Sequence, residues 1–459
     1  MYRQCAAGLL AFVALLAALL TRPVPPVEDF DQSFYFSIAH DLSRYGVYSN
    51  GVFGPSGTET APPQAGMFFM PLYPLVIWGA MQIDARFDAT IACANKLRID
   101  RAQYKRCPPY SFPVMVLHAV MLALGAFAAA KAGAVILKAP AVFYLMLAVT
   151  TAGLYSHAGL FSYMMTESLT FCLYSLCTLC LTLALDRHRT IYFSLTGFCL
   201  GLLVLTRPSF LALLPIFVIV LCVKRWLGDN AIRLGRGMAL ILVCALTISP
   251  WLMRNVISVG KFGLTEEYGA GIIIERLGYN KMTLTEGLLA FPACIPQVGN
   301  DAVSMIFGER VMNRWGWSGS GTFFGSGTER RVALMGQGRL DPIIGTILAD
   351  ELRDNWWRHA LTSIPIAWCG LWVGQLWGLI FIPIFIVGGV IAVRRRNSLF
   401  LAYLFPALAM GLVHGVLANH NVRFNIGFIG PIAVGVAYVA LEVWSRYGRR
   451  LQSGLATAP

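Results

Sequence analysis

A chain of 459 residues that is 57% hydrophobic and only 13% charged, with a mean hydropathy of +0.64, carries more apolar surface than a water-soluble domain can hide. Its net charge of +13 could suggest nucleic acid, but most of the cations sit in short tethers between apolar runs, so a nucleic-acid partner is not expected and a lipid bilayer is. Eleven cysteines without CxxC or Cys/His spacing imply no zinc or iron–sulfur framework, and Cys172, Cys177 and Cys180 read as buried helix residues.

The first apolar run, Ala6 to Leu20, follows Arg3 and precedes Thr21-Arg22-Pro23 rather than a small-x-small cleavage site, so it reads as a retained helix. Windows long enough to span a hydrocarbon core of about 30 Å cover residues 5–21, 111–130, 139–156, 163–185, 191–206, 208–224, 237–252, 376–393, 398–417 and 425–444. The expected fold is therefore a single all-α polytopic membrane domain of about ten transmembrane helices. If the N-terminus is cytoplasmic, the inner connections carry Lys131 and Lys138, Arg187 and Arg189, Lys224 to Arg236, Arg394 to Arg396, and Arg446 to Arg450, all basic as the positive-inside rule requires. Both termini are then cytoplasmic, and residues 22–110 and 253–375 form two long segments on the outer face.

Within the first segment, Lys96, Arg98, Arg101, Lys105 and Arg106 run against the rule. Letting residues 67–83 cross would move them inside but would turn five other basic loops outward. That stretch, with Pro71 and Pro74 expected to break its helix, is instead read as interfacial or re-entrant. An oxidising outer compartment would let Cys93 pair with Cys107. In the second segment, Gly316 to Gly327 reads as a mobile loop with Phe323 and Phe324 at its tip. Asp350 to Trp372 reads as one amphipathic helix whose Trp356, Trp357, Trp368 and Trp372 suit a membrane surface.

Chemistry is concentrated after the first helix, in Glu28-Asp29-Phe30-Asp31-Gln32-Ser33-Phe34-Tyr35. Asp31 and Tyr35 are four apart and share a helix face that continues through Ala39 and Leu42. A carboxylate at this interface could take a proton from a hydroxyl; equally, Asp29 or Asp31 could simply cap a surface helix. Arg207, Arg254 and Arg423 fall at the outer ends of apolar runs, where a guanidinium can bind phosphate bidentately or can merely snorkel to headgroups.

These motifs resemble the GT-C superfamily of membrane glycosyltransferases, in particular the protein O-mannosyltransferase and lipid A aminoarabinose transferase group. Asp31-Gln32-Ser33-Phe34-Tyr35 and Pro71-Leu72-Tyr73-Pro74 resemble the family's Asp-Glu-x-x-Tyr and Pro-x-Tyr-Pro elements. Met165-Thr166-Glu167-Ser168, Gly197 to Pro208 ending in Leu205-Thr206-Arg207-Pro208, Pro250-Trp251-Leu252-Met253-Arg254-Asn255 and His420-Asn421-Val422-Arg423-Phe424 follow in the family's order. The resemblance implies that Asp31 is the catalytic base, with Tyr35 and Glu167 as further site residues and Glu28, Asp29 and Tyr73 framing the first loop. It also implies that the second loop closes over the acceptor; a lipid phosphate at headgroup level would then need a cationic pocket, for which Arg207, Arg254 and Arg423, at outer helix ends, are the candidates. The donor would be a polyprenyl-phosphate sugar and the acceptor a lipid, glycan or protein, on the periplasmic face of a bacterial inner membrane. Gln32 stands where many relatives have a second acid, which leaves a divalent metal open, with Glu167, His157 and His420 as candidate ligands.

Two other classes compete. A transporter or flippase of lipid-linked sugars predicts charges near helix centres and pseudo-symmetric halves, and no internal repeat is visible. An O-antigen ligase or polymerase would carry a large loop late in the chain and no acidic motif directly after the first helix.

Overall fold

The computed structural model describes residues 2–23, 25, 31–51, 62–96, 110–226, 234–317, 319, 321–335 and 340–456. In the first half run α1 (Tyr2–Leu20), α2 (Gln32–Tyr45), α3 (Leu72–Ile83), α4 (Ala85–Lys96), α5 (Phe112–Ile136), α6 (Val142–Ser156), α7 (Ala158–Phe161), α8 (Glu167–Arg187), α9 (Thr190–Val204), α10 (Leu213–Trp226) and α11 (Leu234–Val259). The second long stretch between membrane-length helices folds as α12 (Tyr268–Leu277), α13 (Leu284–Ala293), α14 (Gly299–Phe307), α15 (Glu309–Asn313), α16 (Phe323–Met335), α17 (Leu340–Arg353) and α18 (Trp356–Gly370). The chain ends with α19 (Leu376–Arg394), α20 (Ser398–Leu417) and α21 (Ile429–Ala456), the last entered through a 3₁₀ turn at Val422–Phe428.

Among the described residues, seven helices are long and apolar enough to cross a membrane: α1, α5, α8, α11, α19, α20 and the continuous Val422–Arg446. Val142–Ser156, Thr190–Val204 and Pro208–Lys224 are apolar but shorter. The chain is thus an all-α, multi-pass membrane protein. At about 1.5 Å per residue, the twelve residues of α3 reach about 18 Å, too short to cross. Pro71 and Pro74 do not break that helix: Pro71 is its N-cap and Pro74 lies in the first turn, where a missing N–H costs nothing.

The α5 helix packs against α1, α6 and α8, while α9 lies between α8 and α11. That last crossing is set by Gly197 and Gly201, four apart on one face of α9. A Cβ on Gly197 would fall 2.2 Å from the Leu240 carbonyl oxygen, and one on Gly201 would fall 2.5 Å from Thr247 Cβ. With lipid on all sides, close backbone approach rather than water exclusion brings such helices together.

The stretch from α12 to α18 is tied to the bundle by Arg276, which is fully buried. Its guanidinium donates to the carbonyls of Gly415 (2.8 Å) and His359 (3.1 Å), to Asn280 Oδ1, and to the hydroxyls of Thr362 and Ser363. Burial lowers its pKa to about 9. A disulfide between Cys294 and Cys369, 75 residues apart, links the end of α13 to α18. Cys93 is also in a disulfide, while Cys107, its expected partner, lies outside the described residues, as do Glu28 and Asp29.

Two expectations for this stretch are corrected. The glycines after Gly316 do not make one open loop: Phe323 starts α16, is 1% exposed, and sits against Tyr279 and Trp315. Asp350 to Trp372 is not one helix, because the chain turns at Asp354–Asn355 between α17 and α18. Trp356 and Trp357 face outward, whereas Trp368 bonds to the Phe291 carbonyl and Trp372 turns inward.

Replacing Gly197 by Ala should force α9 and α11 apart at a cost of about 1–3 kcal/mol, seen as a lower melting temperature of the purified protein in detergent. Gly389→Ala in α19, where a Cβ meets open space, should leave the melting temperature unchanged or raise it.

Candidate active site

Four separate segments meet at one end of the bundle. Asp31 is the N-cap of α2, but its side chain makes no capping bond. Asp31 Oδ2 accepts instead from Arg423 Nη2 at 2.9 Å. Capping alone therefore does not account for this carboxylate. Arg423 is presented by a ladder of asparagine turns: Asn419 Oδ1 accepts from the Asn421 N–H, and Asn421 Oδ1 from the Arg423 N–H.

Glu167 opens α8, where the helix dipole favours a negative charge. It is 1% exposed. Glu167 Oε1 accepts from Arg207 Nη2 and lies 3.8 Å from Arg423 Nε. Pro208 holds Arg207 in extended backbone, φ −146° and ψ 121°, so the side chain leaves α9 and reaches across to α8. There Arg207 Nε also donates to Thr166 Oγ1 at 2.7 Å. The ring of Phe424 lies 5.4 Å from the Arg423 guanidinium and 5.6 Å from that of Arg207. The result is an alternating chain of charge: Asp31, Arg423, Glu167, Arg207.

Arg254 does not join it, a correction to the expected convergence of three arginines. Its Nη1 donates to the Gly66 carbonyl and its Nη2 to that of Tyr48, at 2.5 and 2.6 Å, and its guanidinium lies over Tyr48 and Trp251. Both carbonyls flank the bridge between Ser49 and Ala65. Two backbone carbonyls close by, that of Tyr48 also accepting the Gly66 N–H, capture the cation, which pins the segment between α2 and α3 to α11.

The other expected residues are structural neighbours. Tyr35 is buried, with its ring edge-on to Phe69 and Tyr73. Burial, with the Asp31 charge adding to it, holds its hydroxyl well above the usual tyrosine range. Tyr73 is fully buried and its hydroxyl bonds His118 Nε2 at 2.9 Å, so it braces α3 on α5. Gln32 explains the missing second acid: its side-chain oxygen accepts the Met164 N–H at 3.1 Å, linking α2 to the turn that delivers Glu167.

The metal candidates do not come together. His157 Nε2 accepts from the Gly374 N–H, and His420 Nδ1 bonds the Tyr279 hydroxyl while its ring stacks on Trp317 at 4.3 Å. Among the described residues no group of three His, Cys, Asp or Glu side chains could hold a metal ion, so these residues do not fit one.

Asp31 and Arg423 open into a cavity of about 880 Å³ roofed by residues of the stretch from α12 to α18. Its far wall carries a pair that no motif announced: Glu275 on α12, accepting from Arg331 Nη1 on α16 at 2.6 Å. Burial pushes the Glu275 carboxyl above its ordinary range, with Arg331 pulling it down and Asp31 adding to the rise. Tyr268, also on this wall, is pushed up to about 12 by burial and by Asp31. The two helices meet at Gly327, where a Cβ would fall 2.6 Å from the Glu275 backbone. A single acid in the apolar run Gly271-Ile272-Ile273-Ile274-Glu275 was the available signal for this pair. Asparagines 300, 419 and 421, Trp317 and Phe324 complete a lining that mixes amides, carboxylates and aromatic faces.

Burial lowers the His420 pKa to about 4, below the value of about 6.5 for an unfolded histidine. The unfolded chain therefore binds more protons between these values, and this contribution to stability is complete above about pH 6.5 and falls as pH drops toward 4. Melting temperature should decline over that window, and His420→Gln should flatten the decline. Compared with protein-family models, with curated proteins and with solved structures, this chain matches none.

Proposed function

We propose that this chain is a GT-C-type glycosyltransferase that moves a sugar from a polyprenyl-phosphate donor to a lipid, glycan or protein acceptor on the periplasmic face of a bacterial inner membrane. The observation that carries the reading is the Asp31–Arg423 pair at the edge of a roomy, amide- and aromatic-lined cavity. One member can take a proton and the other can receive a phosphate. A sugar ring presents hydroxyls for amides and carboxylates and an apolar C–H face for an indole, and this lining offers both.

The topology proposed with it has ten spans, cytoplasmic termini, and residues 22–110 and 253–375 outside. Supporting it are the basic connections on the other side and the Cys294–Cys369 disulfide within the second outer segment, a bond that persists in an oxidising compartment. The sequence of motifs from Asp31 through Arg423, resembling that of GT-C enzymes, supports the same choice.

The reaction is a single displacement. The acceptor hydroxyl gives its proton to Asp31 as its oxygen bonds the anomeric carbon, and the bond from that carbon to the phosphate oxygen breaks. The phosphate leaves with the electron pair, stabilised by Arg423. A phosphate is already a good leaving group, so no general acid is needed, and the anomeric configuration inverts. Because Asp31 and Arg423 are paired at rest, an arriving phosphate competes for the guanidinium, and the carboxylate it displaces becomes free to act as base. Glu167 and Arg207, behind the pair, hold Arg423 in place.

Asp31→Asn should lower sugar transfer in reconstituted proteoliposomes by about 10²–10⁴-fold, the usual size of a lost general base, with membrane insertion and donor retention intact. Full activity in that variant would sink the assignment. Arg423→Gln should weaken donor binding, whereas Arg254→Gln should lower the melting temperature of the protein without a selective loss of donor affinity.

A further inference from the structure

At about 1.5 Å per residue, α5 carries the chain about 27 Å from His118, near the candidate site, to Ile136. At that opposite end lies a second polar hollow of about 620 Å³, where the turns after α5 and α19 meet α21. Lys138, Arg395 and Arg396 line it against a single carboxylate, Glu442. Glu442 is shared by Arg395 and Arg446, so it does not neutralise the other two cations.

The backbone marks two of these cations. Lys138 and Arg396 have φ of 51° and 52°, in the left-handed region. Each follows the C-cap of its helix, the place where glycine is favoured because it has no Cβ. A cation anywhere in the last turn would suit the helix dipole, so the dipole does not explain why two long side chains occupy strained positions that open into one hollow. Strain of this kind collects at ligand sites.

The surroundings identify the ligand. Trp444, 76% exposed, lines the hollow, and the two helices that lead to it expose further apolar side chains, Val390 and Val393 on α19 and Val443 on α21. Acyl chains can lie along the valines while the indole sits at headgroup level. We propose that this hollow binds the phosphate headgroup of an anionic phospholipid in the leaflet opposite the candidate active site.

The test uses the full chain, purified in detergent and depleted of lipid, with phosphatidylglycerol, phosphatidylcholine and inorganic phosphate titrated separately and bound species counted by native mass spectrometry. Phosphatidylglycerol should bind more tightly than phosphatidylcholine. In the double variant Lys138→Gly, Arg396→Gly that preference should fall by about fivefold per charge removed. Glycine also relieves the backbone, so the lipid-free melting temperature should stay level or rise, which separates a lost site from a lost fold. Should the glycine pair fail to fold, Lys138→Asn with Arg396→Asn, also tolerant of left-handed backbone, takes its place. Equal affinity for the two lipids, an undiminished preference in the variants, or an equal loss from Arg187→Gln with Arg189→Gln would overturn the proposal. Inorganic phosphate binding as tightly as the lipid would overturn the assignment to a phospholipid.

Discussion

Glu167 sits almost without solvent at the start of a helix packed on all sides, and an isolated carboxylate there would have to give up its charge or pull the helix end into water. It is held by two guanidiniums from distant parts of the chain, Arg207 directly and Arg423 at longer range. Arg423 in turn reaches Asp31. Each ion is tolerable only because its neighbours carry the opposite sign, so removing one leaves the next uncompensated. The alternation therefore fixes the relative positions of α2, the start of α8, the end of α9 and the turn before α21. The cavity has a defined floor for the same reason.

A network that is neutral at rest is also a responsive one. The chain holds two acids and two arginines, and a phosphate entering beside Arg423 would add negative charge that only a shift of Asp31 can accommodate. Glu167 cannot make that shift, being nearly inaccessible and tied to Arg207, whereas Asp31 is 26% exposed at the cavity edge. The more exposed of the two acids is thus the one at the cavity edge. Under the proposed reading, donor binding and exposure of the base are one electrostatic event.

Most of the bundle was legible in the sequence because lipid imposes a one-dimensional rule: apolar windows became helices, and Asp31, Glu167, Arg207 and Arg423 stood out as charges at their ends. Local chemistry helped, since Pro208 dictates the exit of Arg207 and Asn421 the approach to Arg423. What could not be read was partner choice. Arg254 looks like its fellow arginines until the carbonyls of Tyr48 and Gly66 appear beside it. Gly325 and Gly327 read as loop by composition, yet both are buried in α16, and the second lets that helix touch α12. Glu275 and Arg331 are 56 positions apart, so only the folded second stretch brings them together.

The site is therefore built in two parts with different anchors. Its floor belongs to the membrane bundle and is held by mutual charge. Its roof belongs to α12 through α18 and is held by Arg276, by the Cys294–Cys369 bond and by the Tyr279–His420 contact. Of these, His420 is the one nearest the charges, lying three residues before Arg423 while stacking on Trp317 of the roof. A change in how the roof sits is felt at Arg423 through a short stretch of asparagine turns rather than through a rigid helix. Under the proposed reading, chemistry set by the floor and acceptor choice set by the roof can then vary separately, because the charges that fix one are not the contacts that fix the other.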